Sequence, residues 1–192
     1  MCASRDYTLD SGPNEANKED GIKFTRALPR RVGAEQVLDA VHRALGGTPQ
    51  FEGYKNPMHA AQLPGIQAIY RPKKPTQGDK FLHLFGKPPR LLNTDTERVN
   101  ETSLAQVFEL TSGATLNTLL TAPTNTLTLL MEQSDSEDTL ISALYWPILT
   151  REPSDIERTA TREYMRRTND RRAALEDLAW ALLNAKEFLL RI

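Results

Sequence analysis

Residues 170–192 read DRRAALEDLAWALLNAKEFLLRI. Leu175, Leu178, Leu182, Ala185 and Leu189 recur at alternating three- and four-residue steps. That spacing lays one apolar stripe along a helix. Asp170 can cap its start, because its side-chain oxygen can accept from free backbone N–H groups. No Gly or Pro interrupts the stretch, so the spacing predicts a single helix over 170–190. A helix this apolar must find a partner surface, and the large apolar surfaces lie just upstream. Trp180 falls off the leucine stripe. It is either core or a side chain that faces a partner.

Working upstream, Ser154 and Glu157 stand three apart directly after Pro153, the spacing of a capping box. They predict a helix over 154–167, with Ile156, Ala160 and Tyr164 on its buried side. Arg158, Arg162 and Arg166 recur on another side. Asp155, Glu157 and Glu163 are interleaved with them, so the stripe reads as a solvated, salt-bridged face rather than a phosphate-binding ridge. The short RTND connection predicts that this helix and the next lie antiparallel. Ser134 and Glu137 have the same box spacing and predict a helix over 134–149. Its apolar face is Leu140, Ile141, Leu144, Tyr145 and Ile148. Pro147 removes the backbone bond to Ala143 and should kink or end the helix near Trp146. Further upstream, SLAQVFELTSG, ATLNTLLTAP and NTLTLLMEQ predict three shorter helices, with Leu104, Val107, Phe108 and Thr111 sharing one face of the first.

The N-terminal half reads differently. Residues 1–32 collect turn formers and charge, with Tyr7 and Leu9 weakly suggesting an extended arm and Phe24 and Leu28 as anchors. Residues 33–46, GAEQVLDAVHRALG, form a helix whose buried face is Val37, Leu38, Val41 and Leu45. Gly33 sits at its cap and Gly46 at its C-terminal stop. His42 reads as boundary packing at the edge of that face. Five prolines then fall between residues 47 and 78, predicting a long loop anchored by Phe51, Tyr54, Leu63, Ile66, Ile69 and Tyr70. The basic group Arg71, Lys73 and Lys74 reads as solvated loop. DKFLHLFG predicts a short helical turn in which His83 is a packed side chain, followed by a polar link from about residue 90.

These elements predict an all-α fold: one domain over 1–192, an antiparallel or orthogonal helical bundle from about residue 102. Residues 1–101 are expected to be a largely irregular, Pro-rich half apart from the helix at 33–46.

Composition narrows function. The 24 Lys+Arg against 25 Asp+Glu leave a net charge of -1, so nothing draws the chain generally to nucleic acid or anionic membrane. Cys2 is the single cysteine. It allows neither an internal disulfide framework nor a Cys-based zinc or haem motif, and it reads as an incidental thiol. No apolar run approaches the roughly 20 residues of a membrane span. The G-x-S-x-G, H-E-x-x-H, phosphate-loop and dinucleotide patterns are all lacking. His42, His59 and His83 lie on different segments. No metal or cofactor is expected in this chain.

Several segments together resemble a family. LYWPILTREPSDIE followed by RRAALEDLAWALLNAKEFLL, FLHLFGKPPR, SLAQVFELTSG, RRVGAEQVLDAV and HAAQLP all look like segments of domain of unknown function 1553 of planctomycetes. The resemblance covers nearly the whole chain. It implies a C-terminal domain of large, secreted or surface-associated proteins that often carry a cytochrome-c-like domain. It carries no catalytic residues. Where many relatives have C-x-C-E-R, this chain has Thr94-Asp95-Thr96-Glu97-Arg98, so any metal or disulfide held there in relatives is lost. Pro147 also departs from the family pattern.

Two functions are therefore weighed. The first is a non-catalytic helical module that packs against neighbouring domains or a protein partner. An exposed Trp146 or Trp180 beside an arginine would mark the contact surface. The second is an accessory or catalytic domain acting on complex carbohydrate or in redox chemistry. Its candidate pocket would combine His59 and Gln62 with Glu97 and Arg98. Read with Met1 as the start, the chain is expected to be cytoplasmic; the family setting implies instead the extracytoplasmic tail of a longer protein. The sequence carries no signal for oligomeric state.

Overall fold

The computed structural model describes residues 11–19, 25–63, 74–87, 103–134 and 136–191. Tyr7, Leu9, Phe24, Ile66, Ile69, Tyr70, Arg71 and Lys73 lie outside them, as does the link over 90–100. The chain is all-α. Its helices are α1 (Ala34–Leu45), α2 (Gln77–Leu84), α3 (Leu104–Ser112), α4 (Ala114–Leu120), α5 (Thr126–Gln133), α6 (Glu137–Leu149), α7 (Asp155–Arg167), α8 (Arg171–Leu183) and the single turn α9 (Lys186–Leu189). Two short strands, β1 (Arg30–Arg31) and β2 (Leu190–Arg191), pair antiparallel, with Arg30 opposite Arg191 and Arg31 opposite Leu190.

Two helices organise the core. α8 touches α4, α5, α6 and α7, while α1 touches α2, α4, α5 and α6. The apolar spacing of α1 explains its place: Val37, Leu38, Val41 and Leu45 are all buried. They meet Leu140, Ile141 and Leu144 of α6 and Leu175 and Leu183 of α8 in one apolar cluster. The N-terminal half thus supplies core as well as loop. Gly46 closes α1 at a φ of 96°, where a side chain would be strained, and a Cβ there would stand 3.2 Å from the Thr126 hydroxyl.

The loop after α1 is tied down by carboxylates. Asp39 accepts from the N–H groups of Ala60 and Ala61 at 2.6 and 2.9 Å, holding a 3₁₀ turn over Ala60–Gln62. Asp79 is buried and accepts from the N–H groups of Glu52 and Thr76 at 3.0 and 2.8 Å. It closes the cap of α2 and fastens the loop at once. Gly78 lets this happen, since a Cβ there would sit 2.7 Å from the Gln50 carbonyl oxygen. Phe81 and Phe85 stack at 4.2 Å beneath. His83 is exposed, not packed. It lies on the side of α2 opposite the buried Phe81, Leu82 and Phe85.

α6, α7 and α8 pack on one another as expected, with several corrections of detail. The N-cap of α6 is Ser136, whose hydroxyl accepts from the Thr139 N–H at 3.1 Å. Ser134 instead closes α5. Pro147 neither ends nor breaks α6, which runs on to Leu149. The proline falls in the last turn, so one helical bond is lost. Buried Leu144, Tyr145, Ile148 and Leu149 hold the turn in place, and Thr150 closes it at a φ of 57°.

The helix predicted over 170–190 stops at Leu183. The Asn184 amide donates to the Leu110 and Trp180 carbonyls at 3.1 and 2.9 Å. Ala185 then turns extended, with φ −67° and ψ 145°, and α9 buries Phe188 before β2 begins.

α7 is turned over relative to its apolar pattern. Ser154 and Glu157 form the expected capping box, but Ile156, Ala160 and Tyr164 face outward, Ile156 at 83% exposure. The buried residues are Thr161 and Met165. Arg158 and Arg162 lie against α6 rather than in solvent. Arg158 donates to Ser142 and to the Asp138 carbonyl, and Arg162 makes a two-pronged pair with the Asp138 carboxylate. Their aliphatic stems can cover apolar surface while the guanidinium heads stay paired.

Candidate functional site

His59 is exposed, with Nδ1 3.6 Å from Asp39 Oδ1, and its backbone N–H donates to Gln62 Oε1 at 3.2 Å. His59 and Gln62 are therefore together, as the N-cap and the last residue of one 3₁₀ turn. Asp39 is already engaged by two backbone N–H groups, and the arrangement holds a loop. Glu97 and Arg98 lie outside the described residues. His42 is buried, with Nδ1 2.9 Å from the Leu38 carbonyl. Burial pushes its pKa down, favouring the neutral ring.

A second polar cluster, not foreseen in the sequence, centres on Arg151. Its Nη1 and Nη2 donate to the two oxygens of Glu157, both at 2.8 Å. Nε and Nη2 donate to Glu187 at 2.7 and 2.9 Å, and Nη1 also donates to the Glu152 carbonyl at 3.0 Å. All five guanidinium donors are engaged, and the plane stands 5.7 Å from the centre of the Tyr145 ring. The arginine hydrogen bonds hold the Glu157 carboxyl down at about 2. The Glu157 and Glu187 bonds push the Arg151 pKa further up. With no donor left over, this cluster is a fastening between elements.

The remaining feature is apolar. α3 turns Leu104, Val107 and Phe108 outward, at 78%, 46% and 66% exposure. They do share one face, as the spacing predicts, but it is the outer face. Gln106 and Leu110 are the buried residues. The helix is firmly seated. Ser103 caps it. The Gln106 amide donates to the Leu84 carbonyl at 2.9 Å, and its oxygen accepts from Arg31 at 2.9 Å. At the far end Asn184 holds the Leu110 carbonyl, and the Trp180 indole N–H donates to the Thr111 carbonyl at 2.9 Å. Trp180, 39% exposed, therefore extends the α3 face onto α8.

The stretch of sequence that carries this face is almost free of charge. Between Ser103 and Met131 the chain carries one charged residue, Glu109. Its carboxylate accepts from the N–H and hydroxyl of Thr115 at 3.2 and 2.5 Å. That run of uncharged sequence was the available signal for the surface. Trp146 is also exposed, but its indole N–H donates to Glu152, which in turn pairs with Arg158. Its surroundings are charged.

Among the described residues no group of three or more His, Cys, Asp or Glu is placed to hold a metal, and no helix is long and apolar enough to cross a membrane. Searches of curated proteins and of solved structures each returned no match. A family match covers residues 1–165 and ends inside α7, although α8 completes the same core. The chain belongs to the family described as PSD1, protein of unknown function (DUF1553).

Proposed function

We propose that this domain is a non-catalytic helical module that packs against a neighbouring domain or protein partner through the outer face of α3 and Trp180. The observation that supports the reading is the exposure of Leu104 and Phe108 on a helix held at both ends. Soluble proteins rarely leave clustered large apolar side chains in water without a use for them. Interface centres favour aromatic residues and are depleted in charge, and this face has Phe108, Trp180 and one satisfied carboxylate. Because Gln106, Asn184 and Trp180 already fix the helix, little ordering remains to be done on binding.

The test is a double variant, Leu104→Asp with Phe108→Asp. Both side chains are exposed, so the melting temperature should stay within a few degrees of the parent. Hydrogen exchange at α3 in the protein isolated with its neighbouring domain or partner should rise sharply in the variant. Equal protection in parent and variant would remove α3 as the contact.

A further inference from the structure

We propose that Asp177, flanked by the Tyr164 and Trp180 rings, is the receptor for an arginine side chain of the partner that packs on the α3 face. The inference rests on the reading given above for the partner and adds that partner's chemistry.

Asp177 is exposed on the outer face of α8. The Tyr164 hydroxyl reaches across from α7 and donates to its Oδ2 at 2.5 Å. Trp180 stands three residues further along α8, so it is a neighbour on the same side of the helix. A helical side chain leans back over the turn before it, which brings the indole over the Asp177 turn. Its N–H is held by the Thr111 carbonyl at 2.9 Å. The two rings are 44% and 39% exposed. Each is pinned through its polar end, so little side-chain freedom remains to be lost on binding. Ala173 and Ala181, four residues to either side of Asp177, are too short to cover the carboxylate. Asp177 thus has an aromatic ring on the α7 side, another on the α3 side and open space above.

The carboxylate lacks a counterion. Among the described residues no cation pairs with Asp177, and Oδ1 accepts no hydrogen bond. The neighbouring arginines are engaged elsewhere, Arg167 with Glu163 and Arg172 with Glu176. Arg166 and Arg171 stand about 160° and 120° round their helices from Tyr164 and Asp177. A guanidinium matches what is left open. It is flat, it donates in parallel to both oxygens of a carboxylate, it stacks on aromatic faces, and it sheds water more readily than an ammonium. An exposed pair of this kind is weak while water screens it. Apolar contact at Phe108 and Trp180 would exclude that water as the partner seats, and arginine with Trp and Tyr is the composition of interface centres.

The experiment is an NMR titration of the 192-residue chain with N-acetyl-arginine methylamide. N-acetyl-citrulline methylamide, similar in shape but uncharged, is the control at matched ionic strength. The chain has two tryptophans, so a Trp146→Phe background leaves the Trp180 indole N–H as the one indole reporter. The arginine probe should shift it along a saturable curve, with a dissociation constant of about 10–100 mM, and citrulline should not. Asp177→Asn keeps an acceptor for Tyr164 and removes the charge. Its melting temperature should hold while arginine binds about fivefold more weakly or worse. Leu104→Asp with Phe108→Asp should still bind the probe, so the receptor and the α3 contact fail separately. An equal response to citrulline, or arginine binding unchanged in Asp177→Asn, would overturn the receptor and leave the α3 contact standing. A saturable arginine response, with equal α3 exchange in the parent and the Leu104→Asp, Phe108→Asp variant, would support the receptor and remove the α3 contact.

Discussion

Arg151 and Glu187 are 36 residues apart in sequence and meet through two hydrogen bonds, of 2.7 and 2.9 Å. The same guanidinium grips Glu157 through two more. One side chain therefore ties the turn between α6 and α7 to α9, and so to β2 and the chain's pairing with β1. The Val32 N–H adds a bond to the Leu189 carbonyl at 3.1 Å.

Replacing Arg151 should loosen this C-terminal strap. The pairs are partly exposed, with the arginine side chain at 37%, so solvent screening limits each one to about 0.2–1 kcal/mol. Arg151→Met should cost about 1–2 kcal/mol in all, seen as a fall of roughly 2–8 °C in melting temperature. Amide exchange should rise first at Val32 and Leu190.

The same contact fixes a pH dependence. Glu157 has its pKa lowered from 4.5 to about 2. The folded state therefore binds fewer protons than the unfolded chain between these values. The stability it contributes is complete above pH 4.5 and is lost as pH falls towards 2. Urea unfolding measured from pH 5 to 2 should show a steeper loss for the parent than for Arg151→Met. Parallel curves would mean that Arg151 does not set this pKa.

The N-terminus of α6 separates two serines that look alike in sequence. Ser136→Ala removes the acceptor for the Thr139 N–H and should cost about 1 kcal/mol. Ser134→Ala should cost less, because Ser134 uses its backbone N–H, donated to Leu130, and not its side chain, to close α5. Thermal melting of the two variants decides which serine is the cap.

Leu182 lies on the stripe of α8 and is buried, beside fully buried Leu183. Leu182→Asp should prevent folding, since a carboxylate there would be desolvated without a partner. Circular dichroism reads the outcome directly. A variant that melts like the parent would mean that this stripe is not core.

How much of this was legible depended on what each apolar pattern met. The apolar faces of α1 and α6 were legible, because Val37, Leu38, Val41, Leu140, Ile141 and Leu144 recur at helical spacing and are all buried. α7 could not. Ile156, Ala160 and Tyr164 lie outside, and its inner side is Thr161, Met165 and the paired Arg158 and Arg162. Pattern alone could not show that Asp138 and Ser142 would be waiting on α6.

The strands were beyond reach for another reason. Arg30 and Arg191 pair across almost the whole chain, over two residues on each side. No periodicity exists in so short a stretch. The end of α8 was hidden because Asn184 leaves the helix to bond the Leu110 carbonyl of α3, a contact made only in the folded chain. The α3 face shows the remaining limit. The spacing of Leu104, Val107 and Phe108 establishes a face, and it is the same spacing whether the face meets this chain's core or another protein.

The most direct test of the α3 surface is site-specific photo-crosslinking in the native cell. A benzoylphenylalanine at position 108, with a second at exposed Lys80 as control, would be irradiated and the crosslinked peptides mapped by mass spectrometry. The account predicts that position 108 crosslinks to one defined surface of a neighbouring domain or partner, that position 80 does not, and that adding Leu104→Asp abolishes the product. A position 108 product that matches the Lys80 background, or one that persists with Leu104→Asp, would contradict it.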